Sequence, residues 1–155
     1  MRNIFSVKTA RQSNAPLVRG FTLIELLVVI GIIAILAGVV IVAINPGRQF
    51  AQARNTQRWS NVNSILNAIG QNMADNKGNF TCGTSTLPTA TTSLGTSGFD
   101  ISTCIVPTYI SVLPMDPTIG TTANLGYTIT YSSTTRRITI AASQPELGET
   151  IQVTR

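Results

Sequence analysis

The chain has no histidine in 155 residues, only six acidic residues and only two cysteines. Each shortage removes a class of chemistry. Without histidine there is no imidazole to move protons near neutral pH, and two thiols alone do not complete a four-ligand zinc site. No Gly-rich phosphate loop is present, so the usual acid-base, metal and phosphoryl-transfer sites all lack parts. Ser-Lys or lone-thiol chemistry stays open in principle, but no motif marks such a site. The chain therefore reads as a non-enzyme with no cofactor and no metal.

The charge is also less telling than it looks. The formal net charge is +5, but Arg2, Lys8, Arg11 and Arg19 fall within the first twenty residues, which hold no acid. Without that segment, 7 of the 11 basic residues remain against 6 acids, leaving a net charge near +1. No nucleic-acid partner is inferred from so small an excess. Length sets a further bound: once a leader and a span are set aside, about 100 residues remain, enough for one compact domain.

What the sequence does contain is one long apolar run with a single acid inside it. Residues 21–44 are uncharged except for Glu25. As a helix these 24 residues would be about 36 Å long, enough to cross a hydrocarbon core of roughly 30 Å with some tilt. A carboxylate placed in such a span costs up to about 3 kcal/mol at the bilayer centre and less near its edge, so Glu25 needs a partner. A cut between Gly20 and Phe21 would create one. It would free an α-amine at Phe21, four residues before Glu25, and that amine is cationic below a pKa of about 8. Glu25 would also lie in the first turn of the helix, where the macrodipole favours negative charge.

The string G-F-T-L-I-E-L-L-V-V-I-G-I-I-A-I-L-A resembles the prepilin signature shared by type IV pilins and type II secretion pseudopilins. The resemblance implies that a membrane prepilin peptidase cuts after Gly20 and methylates Phe21. It also implies that Glu25 docks on the amine of a neighbouring subunit as the apolar helices pack into a filament core. The implied partners are prepilin peptidase, identical or related pilin subunits, an inner-membrane assembly platform with its ATPase, and the lipid bilayer. The implied location is the cytoplasmic membrane, as a single-pass precursor with its carboxy-terminal domain exported, and then the filament. The four leader cations against Arg48, Arg54 and Arg58 beyond the span agree in sign with a cytoplasmic leader. A secretory signal peptide has a shorter apolar core and a small-x-small cleavage site, which this run lacks. A non-polymerising single-pass anchor holding a binding or enzymatic domain is the alternative, but it gives no reason for Gly20-Phe21 or for Glu25. Pilus and secretion pseudopilus share this amino-terminal logic, and both remain open.

Beyond the span, Asn45-Pro46-Gly47 predicts a kink or a short melted stretch, because proline removes a backbone donor and clashes with the preceding turn. Helix should then resume to about Lys77. Val62, Ile65, Leu66, Ile69 and Met73 form an apolar stripe expected to pack under a sheet, with Arg54, Arg58, Asn61 and Asn67 largely off it. Trp59 sits at the edge of the stripe, between core and subunit contact. Gly78 suits a left-handed helix cap.

Residues 81–98 hold ten Ser or Thr in eighteen and read as an exposed loop. Cys82 and Cys104 enclose it, and in an exported domain an even cysteine count favours a disulfide. Further on, Tyr127, Ile129 and Tyr131 alternate with threonines, Ser132 to Thr135 turn the chain, and Ile138 and Ile140 resume the period, as in an antiparallel hairpin. Ile151 and Val153 would add a third strand. Tyr109 followed by Leu113-Pro114-Met115-Asp116-Pro117 is similar to a segment found before the sheet hairpin in many pseudopilins. In major pseudopilins the residues after that Asp-Pro help bind calcium, but here no acid lies between Asp116 and Glu146. Calcium takes six to eight oxygens, so Asp116 reads as a turn residue.

The expected architecture is an α+β, pilin-like lollipop. Its parts are a leader (1–20, cleaved), a transmembrane and assembly helix (21–44), and an amphipathic helix with a small exported antiparallel sheet (45–155).

Overall fold

The computed structural model describes residues 20–155, in two compact units that meet in sequence at Ala43 and Ile44. The leader expected at 1–20, with its four cations, lies outside the described residues except for Gly20.

The first unit is one helix, α1 (Leu23–Ile44). It is long and apolar enough to cross a membrane, and none of its residues is buried by the rest of the chain. Side chains such as Ile30 and Ile33 are more than half exposed. Such a surface is stable only against lipid or against other apolar helices.

The second unit begins where α1 ends. Asn45 takes a left-handed conformation at φ 50°, which asparagine tolerates better than most residues, and its side chain accepts from Arg48 N at 3.4 Å. Pro46 then occupies the first position of α2 (Pro46–Asp75), where its missing N–H is not needed. The interruption expected at Asn45-Pro46-Gly47 is thus a one-residue break with a new helix start.

The stretch ends close to expectation, with one substitution of roles. Asn76 N reaches Asn72 O at 3.1 Å as the last helical bond, and Gly78 N reaches Met73 O at 2.7 Å, the six-to-one bond of a Schellman-type cap. The left-handed residue at the cap position is Lys77 (φ 58°), with Gly78 (φ 87°) following it.

Four antiparallel strands form the sheet in the order β1 (Thr92–Ser93), β2 (Tyr127–Ser132), β3 (Arg137–Ala142), β4 (Gln152–Thr154). The hairpin of β2 and β3 pairs Ile129 with Ile140 and Tyr131 with Ile138. The third strand expected around Ile151 and Val153 is β4, pairing Ile140 with Val153. A short helix, α3 (Ser102–Ile105), precedes the hairpin. The core joins Val62, Ile65, Leu66 and Ile69 of α2 to Tyr127, Ile129, Ile138 and Ile140 of the sheet.

The serine- and threonine-rich segment is not wholly an exposed loop. It supplies β1, and Leu94 is fully buried in the core, hydrogen-bonded through its backbone to Tyr127 and Leu125. One apolar side chain in a polar stretch gives no period to read, yet it suffices to pin the loop to the sheet edge. Cys82 and Cys104 are joined in a disulfide across a sequence separation of 22.

Candidate functional site: the amino-terminal turn and the charged seam of the second helix

Glu25 is the third residue of α1, and Thr22 immediately precedes the helix. Thr22 N and Oγ1 donate to Glu25 Oε2 at 2.8 and 2.7 Å, and Glu25 N donates back to Thr22 Oγ1 at 3.2 Å. This is a reciprocal capping box: two helix-start donors that would otherwise lack partners are satisfied, and the carboxylate sits at the positive end of the dipole. The pattern Thr22-x-x-Glu25 was readable in the sequence as a capping signature, which singles out Thr22 beside the three residues already named. Gly20 and Phe21 precede the helix outside any regular element, and Phe21 is 90% exposed.

In the second unit the most unusual residue is Arg58. The sequence pattern puts it off the packed stripe, but its side chain is almost wholly inaccessible. Nε donates to Asp116 Oδ2 at 2.6 Å, Nη1 to Glu146 Oε2 at 2.7 Å and Asn55 Oδ1 at 2.9 Å, and Nη2 to Asp116 Oδ1 at 3.3 Å and Thr118 Oγ1 at 2.9 Å. Arg54 forks onto the same Glu146 at 2.7 and 2.6 Å. Asn61, also expected off the stripe, is buried and donates to Tyr127 Oη at 2.8 Å and Met115 O at 3.0 Å.

The two carboxylates respond to these neighbours. Burial works against ionisation of Asp116, but hydrogen bonds from Arg58, from the Thr118 hydroxyl and amide, and from Ile119 N outweigh it and hold the pKa at about 2. Glu146 is held at about 2 by hydrogen bonds from Arg54 and then Arg58. Gly126 allows this packing: at φ 82°, an added Cβ would lie 2.5 Å from Asp116 Cβ.

Asp116 is indeed a turn residue, accepting from Thr118 N at 2.8 Å and Ile119 N at 3.1 Å. Its remaining capacity is filled by a guanidinium. A calcium ion does not fit these residues, since one carboxylate already neutralised by arginine cannot supply a hard cation's oxygen shell. Among the described residues no group of three potential ligands is brought together. The charged seam is a clamp that fastens α2 to two loops, with no free acid, base or nucleophile at its centre.

An apolar membrane-length helix opened by a capped carboxylate, followed in sequence by a helix-on-sheet domain, defines an α+β protein of pilin-like construction. Residues 17–41 match the family model described as the prokaryotic N-terminal methylation motif, so the chain carries the type IV pilin and pseudopilin signature. That motif marks a prepilin-type processed subunit, implies handling by prepilin peptidase and pilin-assembly machinery in general, and fits a membrane-anchored precursor. It points to a structural protein and away from an enzyme. Comparison with curated proteins and with solved structures finds no match for the chain.

Proposed function

We propose that this chain is a structural filament subunit, a prepilin of a type IV pilus or a type II secretion-like pseudopilus. Prepilin peptidase cleaves it between Gly20 and Phe21, Phe21 is methylated, and the mature chain polymerises through residues 21–44. Residues 1–20 are then the cytoplasmic leader and residues 45–155 the exported domain. The observation that carries this reading is Glu25, the one charge in residues 21–44, standing one helical turn from an amine that exists only after cleavage.

The mechanism is assembly rather than turnover. In the precursor, Thr22 occupies the Glu25 carboxylate. In the filament a neighbouring subunit's Phe21 amine takes over as its charged partner, while the bare apolar flank of α1 exchanges lipid for other helices. An unpaired ammonium entering that apolar core would cost several kcal/mol, so subunit addition depends on the carboxylate.

Glu25→Gln keeps size and polarity while removing the charge. Co-expressed with the cognate assembly machinery, it should insert and be cleaved normally, yet yield few sheared filaments relative to membrane-fraction monomer. Wild-type filament yield from a cleaved mutant would refute docking through Glu25 and favour a non-polymerising anchored domain.

A further inference from the structure

Two features of the exported unit are unexplained by its own folding, and they complement each other. The first is a groove of about 480 Å³ along the flank of α2, floored by Leu66, Gly70, Met73 and Ala74 and overlooked by Arg136 and Arg155. Both arginines are exposed, and among the described residues neither is in an ion pair. Arg155 reaches only the neutral amides of Asn67 and Asn63. A Cβ added at Gly70 would meet nothing within 4 Å, so the helix leaves this floor open.

The second feature is the turn at residues 146–149, closed by Glu149 N to Glu146 O at 3.2 Å. Leu147 stands there at φ 59°, a conformation costly for a bulky residue, and it is 48% exposed beside the exposed Glu149. A surface turn that only had to reverse the chain would be better served by glycine. Here the Arg54 and Arg58 bonds to Glu146 hold the turn rigid and present an aliphatic knob next to a carboxylate.

We propose that knob and groove are two halves of one contact between copies of this chain. Leu147 of one copy seats on the Gly70 floor of the next, and Glu149 meets Arg136 and Arg155 at the rim. The occupant follows from chemistry: an apolar floor below two cations calls for an aliphatic side chain adjoining an acid, and this turn offers that pair. A chain cannot fill its own groove with it. The turn is tied to α2 at Arg58, and Gly70 lies twelve residues further along, about 18 Å of helix. A contact joining different patches of one unit is heterologous, the kind that can repeat along an open helical filament. The inference rests on the proposed filament role.

The test uses the full chain expressed with its assembly machinery, read as sheared filament yield against membrane-fraction monomer. Leu147→Gly relieves the left-handed strain, and Gly70→Met improves helix propensity while filling the groove, so neither should lower monomer stability. Each should nevertheless cut filament yield by about tenfold or more, the loss expected when a central contact is removed. Glu149→Arg and Arg155→Glu should each reduce yield, and the two together should restore it. If wild type makes no filaments, the filament role itself fails. If wild type assembles and these variants do too, or if the charge swap does not rescue, the contact between copies is overturned and the groove belongs to a different partner.

Discussion

Arg58 uses every donor of its guanidinium within the protein, and the groups it satisfies come from three separate parts of the chain. Removing one member of such a buried set costs more than the set contributes, because the partners stay behind without compensation. Arg58→Ala should destabilise the second unit by about 3 to 5 kcal/mol in thermal or denaturant unfolding. Arg58→Met with Asp116→Leu should recover much of that loss. A linked expectation concerns pH. Asp116 and Glu146 have folded-state values near 2, below ordinary carboxylate values, so the unfolded chain binds more protons as pH falls. Their stabilisation is complete above about pH 5 and is lost as pH drops toward 2, with Asp116 alone accounting for roughly 2 kcal/mol. An unfolding midpoint that stayed flat between pH 5 and 2 would contradict the ion network.

At the scale of elements, α2 organises the second unit through a seam that changes chemistry along its length. Ala51, Asn55, Arg58, Val62, Ile65, Ile69 and Asn72 are all buried, spaced alternately by four and three residues. The middle packs on the sheet. The ends are polar: Asn55 exchanges hydrogen bonds with the Glu146 backbone at 2.8 and 3.0 Å, and Asn72 does so with Thr81 at 3.2 and 2.9 Å. Asn72 thereby fastens the loop that the Cys82–Cys104 disulfide closes. Cross-linking residues 22 apart restricts the unfolded chain and stabilises by about 3 kcal/mol in the loop-entropy account. Reduction, or Cys82→Ser with Cys104→Ser, should lower stability by about that amount while leaving the β2–β3 hairpin folded. Intact mass after export without reductant should be two hydrogens below the reduced chain, and free alkylation of both thiols in the native protein would remove the bridge.

For the whole molecule, the proposed function depends on a cut that would turn a membrane-anchored precursor into a polymerising subunit. Gly20 precedes the helix, and a Cβ added there would meet nothing within 4 Å among the described residues. Gly20→Val should therefore leave the fold untouched and act only on processing, keeping the protein at precursor mass when expressed with a prepilin peptidase. Normal maturation of that variant would place the cut elsewhere.

The amino acids alone determined the parts whose physics is local. An apolar helix long enough to cross a membrane is written in contiguous residues, a hairpin in alternation at Tyr127, Ile129 and Tyr131, and a capping box in Thr22 and Glu25 three positions apart. The paired cysteines and the helix restart at Pro46 belong with them. What only the tertiary structure decided is where polar residues become core. Arg58 finds Asp116 and Glu146 at separations of 58 and 88 residues, and Asn61 finds Tyr127 at 66. An arginine on a helix face has no local signal for burial, since the charge is tolerated inside only when remote carboxylates arrive to meet it. Leu94 is the same case in apolar form: its place in the core was set by a strand pairing more than thirty residues away, where the backbone of Tyr127 fixes it.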